Sequence, residues 1–492
     1  MKLSLRLVSL VLSFLLIFSI IGCDSTKDAY IYFELPATPD VLDPQTASTD
    51  SELLIVKNIF EGLLRKDSEG NTVCGVAENY ETDGINYTFT IRKNAKWSSG
   101  EKLTAYDFEF ALKRAVSPET KAPFASRLFS IKGAEEVYNS TADKNSLSVK
   151  ATNGTTLKIT LKEKDEYFEE TLTTSVAMPC NEEFFNESSG KYGLSAEKLL
   201  SNGSYKLTKW RRDPFGIRLY KNDKYKGDLE AQNAAVFLTC NDDEPVMTKL
   251  EKNSIDMAFI DCSLTDEAKK LGLETKEIQN ICWFLTISDD FSSDMRKALN
   301  MLVGGEVYSK DLKVGYSTAT SIFPEVINGK KSATGITVYN LAEAKRLYMG
   351  EVEKLENKKF PSDITLYYYD DGNIKNIVTD IVGHWQSNLS AFVNIESVSS
   401  PELLQNELIS REYKMAIFPI RADSERDYEY LENFGITAIG DLSLTQTEIL
   451  KSNNIIPLML QNTVIAYSPA LTEVSAINGD GYIDFSFIVK TE

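Results

Sequence analysis

Helical and strand-like hydrophobic patterns alternate from Ala29 almost to the end of this chain, and no linker rich in Gly, Ser or Pro divides them. Its 492 residues are enough for about three domains. Lobes that share strands, or that the chain crosses more than once, reconcile these two facts. Hydrophobic residues make up 42% and charged residues 25%, the balance of a globular protein with a large core, which excludes disordered, collagen-like and coiled-coil classes. The reading is α/β. Ala29–Phe33 reads as an opening strand, followed by an extended stretch punctuated by Pro36, Pro39 and Pro44. Glu52–Phe60 reads as a helix stopped by Gly62. Tyr87, Phe89 and Ile91 alternate along one strand face. Thr104 is a plausible N-cap with Asp107 three residues later, ahead of the helical spacing of Phe108, Ala111, Leu112 and Ala115. Asn153-Gly154 between two alternating runs predicts a hairpin.

Residues 1–22 read as a targeting segment. Lys2 and Arg6 are followed by the uncharged stretch Leu7–Ile21, long enough for a secretory h-region and short of the ~20 residues that span a bilayer. It ends in Ile20-Ile21-Gly22-Cys23, which resembles a bacterial lipobox, so Cys23 is expected to be acylated and to become the first residue of the mature protein. Two or more acyl chains suffice for stable anchoring.

Lys and Arg number 53 against 72 Asp and Glu, a formal charge of −19. So acidic a surface opposes phosphate backbones, and no nucleic-acid partner is expected. His384 is the only histidine, so neither a three-His nor a Cys2His2 metal site can be built, and any Ser-His-Asp or Cys-His centre would have to use it. It sits in a helix-like stretch, Val382-Gly383-His384-Trp385-Gln386, and reads as a packed or surface helix residue. No hydrolase elbow, P-loop or dinucleotide fingerprint occurs. An enzyme, a metal and a cofactor are therefore not expected. Cys74, Cys180, Cys240, Cys262 and Cys282 show no C-x-x-C spacing and read as small buried hydrophobes, with one disulfide possible.

Eight segments in sequence order resemble the family 5 solute-binding proteins of ABC importers, the oligopeptide and dipeptide receptors. They begin with Leu42-Asp43-Pro44 followed by Asn58-Ile59-Phe60-Glu61-Gly62-Leu63. The most specific block is Tyr87–Gly100 followed by Leu103-Thr104-Ala105-Tyr106-Asp107-Phe108. Ser201-Asn202-Gly203-Ser204-Tyr205, Ser254-Ile255-Asp256 and Met295-Arg296-Lys297-Ala298-Leu299-Asn300 come next. Ala342–Leu347, Ile364-Thr365-Leu366 and the Trp385 helix complete the series.

The resemblance implies a two-lobed periplasmic-binding-protein-like fold of type II, with an extra inserted subdomain and a hinge between lobes. Lobe I is expected from 23–66, 189–270 and 464–492, the inserted subdomain from 67–188 and lobe II from 271–463. It implies a monomeric, lipid-anchored receptor on the outer face of the cytoplasmic membrane, extracellular or periplasmic. Such a receptor captures peptides and hands them to permease subunits. In this family an Asp in an aromatic-x-A-D motif takes the peptide α-ammonium. Lys414–Asp423 occupies that place, making Asp423 the candidate and Arg421 its neighbour. By position the resemblance also carries over Ser48, Thr49 and Asp50 as a cleft loop, and Phe124 where the family offers a Tyr. Ile420 replaces the motif's aromatic residue, Pro419 stands where Gly is frequent, and Arg421 could neutralise Asp423. These departures leave an alternative: a degenerate receptor acting as a surface interaction or signalling protein, or a receptor for a non-peptide ligand such as a metal chelate.

Overall fold

The computed structural model describes residues 29–240, 244–319, 321–324, 326–327, 337–398, 413–422, 442–474 and 483–491, with Leu404 and Tyr430. Cys23 and the targeting segment lie outside these residues, as does Asp423. The described chain forms two compact units. The first runs to Met257 and takes in the chain again from Ser468; the second is Ala258–Tyr467.

In the first unit, β1 (Tyr30–Leu35) is followed by α1 (Asp50–Ile59). A small antiparallel sheet then forms from β2 (Ala77–Thr82), β3 (Asn86–Ile91), β4 (Val149–Asn153) and β5 (Thr156–Thr160), in the order β2-β3-β5-β4. The expected alternation holds: Tyr87, Phe89 and Ile91 are buried on one face of β3. The Asn153-Gly154 hairpin joins β4 to β5 with a register shift between Ala151 and Asn153. Helix α2 (Ala105–Ala115) starts at Thr104, whose N–H and hydroxyl both donate to the Asp107 carboxylate, at 2.7 and 2.9 Å. The larger sheet adds β6 (Tyr205–Arg212), β7 (Phe215–Lys221) and β8 (Ala235–Cys240), in the order β1-β8-β7-β6. The C-terminal segment is stitched into this unit by side chains. Asn58 bonds Ile483 O and Phe485 N at 2.7 and 2.8 Å, and Lys490 pairs with Asp256 at 2.8 Å.

The quoted motifs are joints of this frame. Asn202 and Glu61 exchange bonds, Asn202 Nδ2 to Glu61 O at 2.8 Å and Glu61 N to Asn202 Oδ1 at 3.2 Å. The next residue must be glycine, because a Cβ on Gly203 would stand 2.6 Å from the Ile59 carbonyl carbon. Asp43 accepts from both terminal nitrogens of Arg114, which also donates to Gln45 Oε1 at 2.7 Å and lies 4.3 Å from the Phe185 ring centroid.

The second unit is built on β9 (Glu274–Ile287), β10 (Tyr316–Thr318), β11 (Thr365–Tyr369), β12 (Asn394–Val398), β13 (Met415–Arg421) and β14 (Ile455–Tyr467). The strand order is β12-β11-β13-β9-β14, with β10 paired to β14. Alternate residues feed two cores: Trp283, Leu285, Leu366 and Ile417 on one face, Cys282, Phe284, Phe418 and Ile420 on the other. Helices α3 (Ser293–Asn300), α4 (Leu341–Val352) and α5 (Lys375–Leu389) fill the first core, where Trp385 Nε1 bonds Leu299 O at 3.0 Å. His384 lies on α5, half-buried, 3.0 Å from the Tyr339 hydroxyl, and burial lowers its pKa. Helix α6 (Leu442–Ser452) contributes Ile449 and Leu450 to the second core. The five cysteines beyond Cys23 are unpaired; four are buried and Cys74 is half-buried.

Candidate ligand-binding elements

Strands β11, β12 and β13 run parallel, so their carboxyl ends meet at one edge of the second unit's sheet. Ligand sites of open α/β sheets commonly lie at such an edge. Arg421, the last residue of β13, pairs in register with Ile281 of β9 and is half-buried. Ala422 N then bonds Asn280 O at 2.8 Å, and Asn280, fully buried, accepts from the Thr463 hydroxyl at 2.7 Å. Asn280 sits at a register shift of β9 against β14, between Gln279 and Ile281. Asp423 follows immediately, outside the described residues. Pro419 falls beyond the β11 ladder, which ends at Ile417, so its missing N–H costs no bond there.

The same edge carries polar and aromatic groups that sequence reading missed. Tyr369 at the end of β11 stacks on Trp283, 6.2 Å between centroids, and Trp283 Nε1 donates to Gln461 Oε1 at 2.6 Å. Beyond β11, Asp371 accepts the Tyr316 hydroxyl at 2.6 Å and the N–H groups of Asn373 and Ile374 at 2.8 and 3.2 Å. Burial, then the Asp371 carboxylate, push the Tyr316 phenol well above its usual range. Burial also pushes the Cys262 thiol up to about 11, with Asp261 adding to it. Tyr367-Tyr368-Tyr369-Asp370-Asp371-Gly372, an aromatic strand running into an acidic turn, was the available signal.

Ser48, Thr49 and Asp50 belong to the first unit and open α1. Thr49 is the N-cap, its hydroxyl accepting from Glu52 N at 3.4 Å. Glu52, which sequence reading also missed, accepts four backbone N–H groups: Asp40 at 3.0 Å, Val41 at 3.1 Å, Ser48 at 3.0 Å and Thr49 at 3.0 Å. Burial pushes its pKa up, but these four donors outweigh that and hold it below the usual value. The loop is thus pinned to a buried carboxylate while Ser48 and Thr49 stay exposed. Phe124 is half-buried at the start of a single 3₁₀ turn, with the Arg127 guanidinium 4.6 Å from its ring centroid. A cavity of about 800 Å³ in this unit, lined by Tyr106, Lys113, Arg114, Lys144 and Glu182 among others, includes none of Ser48, Thr49, Asp50 or Phe124. Among the described residues no group of three or more His, Cys, Asp and Glu is placed to hold a metal ion, and no helix is long and apolar enough to cross a membrane.

Residues 71–440 match the family model of the bacterial extracellular solute-binding proteins, family 5, in its middle region. The chain belongs to this family. It is 27% identical over 464 residues to the oligopeptide-binding protein OppA of Bacillus subtilis (strain 168), covering 88% of this chain and 84% of that one. It is 29% identical over 315 residues to the probable deoxycholate-binding periplasmic protein YgiS of Escherichia coli (strain K12), covering 60% and 57%. Among solved structures, OppA of Burkholderia pseudomallei superposes with a TM-score of 0.78 at 18% identity, covering 94% of this chain and 99% of that one. The fold is therefore that of the type II periplasmic binding proteins. The family is named for binding solutes outside the cell.

Proposed function

We propose that this protein is a lipid-anchored receptor of an ABC importer that captures peptides between two lobes and delivers them to permease subunits. The family 5 match across residues 71–440 carries this reading, supported by the likeness to an oligopeptide-binding protein over most of both chains. In it, 23–66, 189–270 and 464–492 form lobe I, 67–188 an inserted subdomain and 271–463 lobe II. Asp423 takes the ligand's α-ammonium, Arg421 lies beside it, and Ser48, Thr49, Asp50 and Phe124 line the opposing wall. Acylated Cys23 holds the protein on the outer face of the membrane. The protein has no catalytic role of its own.

Ligand that binds only the folded, closed form raises stability by about 2.7 kcal/mol at one hundred times its dissociation constant. A thermal-shift screen of short-peptide mixtures, repeated with bile acids and metal chelates, tests the reading. A shift with peptides supports it. A shift only with a steroid acid supports the second reading, a non-peptide receptor, which the likeness to a probable deoxycholate-binding protein favours. Cys23→Ser is expected to leave the protein in the soluble fraction after a high-salt wash; retention in membranes excludes acylation as the anchor.

A further inference from the structure

The β1-β8-β7-β6 sheet of the first unit has one buried face and one open face. Ile31, Phe33, Val236, Leu238, Ile217 and Leu219 point into the core at 1% exposure or less. On the other face the register places Tyr32 opposite Phe237, Phe237 opposite Arg218 and Arg218 opposite Lys209. The neighbouring row is Tyr30, Ala235, Tyr220 and Lys206, and Arg211 continues the edge strand opposite Gly216. Tyr30 and Tyr32 are 40% and 38% exposed. Their rings pack on Phe237 at 5.3 and 5.1 Å, and the Arg218 guanidinium lies 5.3 Å from the Phe237 centroid.

Charge is concentrated here against the trend of the whole chain. The β6–β7 hairpin, residues 205–221, holds six Lys and Arg and a single acid, Asp213, in a protein of net charge −19. Three of these cations have carboxylate partners: Lys206 with Asp223 at 2.5 Å, Lys221 with Glu230 at 2.9 Å and Arg212 with Asp40 at 3.5 Å. Lys490, 5.7 Å from the Tyr32 ring centroid, is paired with Asp256. Among the described residues, Lys209, Arg211 and Arg218 have no ion-pair partner. Lys209 and Arg218 face each other across the ladder, where like charges weaken strand pairing. The sheet gains nothing from that pair; an anion outside it does.

We infer that this open face rests on an anionic lipid surface. Tyr30 follows Cys23 by seven residues, at most about 25 Å of extended chain, so an acylated Cys23 keeps the face within reach of the bilayer. Tyrosine rings with exposed tips suit the headgroup layer, and each unpaired cation near an anionic surface contributes about fivefold in binding. Lys209, Arg211 and Arg218 together contribute on the order of a hundredfold. The acidic remainder of the surface is repelled, which leaves this face as the one turned to the membrane. The argument from reach rests on the proposed acylation of Cys23; the binding test does not.

The mature chain carrying Cys23→Ser, and hence no acyl group, is sedimented with vesicles of phosphatidylcholine alone or mixed with phosphatidylglycerol. The expected result is binding to the mixed vesicles only, weakened by added salt. Combined Lys209→Glu, Arg211→Glu and Arg218→Glu should reduce it at least tenfold with the melting temperature kept. Equal sedimentation on both vesicles, or of the triple variant, overturns the proposal. So does retention by permease subunits in detergent that the triple variant loses, because the face then docks on protein. If the triple variant fails to fold, the salt titration of the unmutated surface decides: binding indifferent to salt overturns it.

Discussion

In the first unit, the acids of the quoted motifs are all held inward. Asp43 is bound to Arg114, Glu61 to Arg92 and Tyr225 at 2.6 Å each, and Asp107 to Thr104. At the carboxyl edge of the second unit's sheet, Tyr316, Asp371 and Asn373 bond mainly within one turn and its neighbour, and Arg421 is the last residue of its strand. The first arrangement is a frame, in which these carboxylates are committed. The second is a margin, in which groups from separate strands are brought to one line. Four of the eight segments that made the chain recognisable lie in the first unit and four in the second, and none of them contains Tyr316, Asp371, Asn373 or Arg421.

The sharpest way to break this contrast is at Asp43. Asp43→Ala leaves the Arg114 guanidinium, now held between Phe185 and Tyr192, without its carboxylate. Burial lowers the Arg114 pKa and Asp43 more than restores it. Removing one partner of a buried pair costs about 3–5 kcal/mol. A loss of that size in urea-unfolding stability is expected, with peptide affinity unchanged in whatever remains folded. A Kd that moves with Asp43 would make the frame part of the ligand site.

The frame was legible because its signals are local. Thr104 and Asp107 are three residues apart, and Asn153-Gly154 is a dipeptide; both specify their own turn. The margin was legible only in part. Met415–Ile420 is an unbroken apolar run of strand length, and the structure gives a strand over Met415–Arg421. The Tyr316–Asp371 bond joins residues 55 apart, and Trp283–Gln461 residues 178 apart. No periodicity encodes such pairs; register across β9, β10 and β14 does, including a shift at Gln279 that the sequence does not announce. Glu52 was hidden for the opposite reason. It reads as an ordinary helix acid until four N–H groups are seen to converge on it.

Asp107 tests the frame through pH. Burial raises its pKa to about 6 against the donors at Thr104. The native state therefore holds a proton that the unfolded chain, titrating at about 3.8, has already lost. The contribution to stability is complete at or below pH 4 and disappears as pH rises through about 6, amounting to some 2–3 kcal/mol at roughly 1.4 kcal/mol per unit. Asp107→Asn keeps an acceptor for Thr104 and removes the titration. Its denaturation free energy should fall less between acid and neutral pH than that of the parent. Parallel pH profiles would show the carboxyl ionised throughout.

Asp423 is the corresponding test of the margin. If it pairs with a peptide's α-ammonium, Asp423→Asn should weaken binding by roughly thirty-fold or more with stability unchanged. N-acetylating the peptide removes the same interaction from the other side, so the two losses should not add. Calorimetry on the four combinations reads the coupling directly. Additive losses would place the ammonium site elsewhere along the edge, with Asp371 the next carboxylate to test.

The smallest effects divide the loop that has features of both regions. The Thr49 hydroxyl caps α1, and removing such a cap costs about 1 kcal/mol. The Ser48 hydroxyl has no partner among the described residues, and its backbone N–H is already taken by Glu52. Thr49→Ala should therefore lower stability by about that amount and change peptide affinity less than twofold. Ser48→Ala should leave stability where it is and, if the loop meets ligand, lose between two- and tenfold in affinity, the range of one hydrogen bond. The pair of variants makes the division within two adjacent residues. If both change stability alone, the loop belongs to the frame, and the cleft wall expected from Ser48 to Asp50 must be sought among other residues of the first unit.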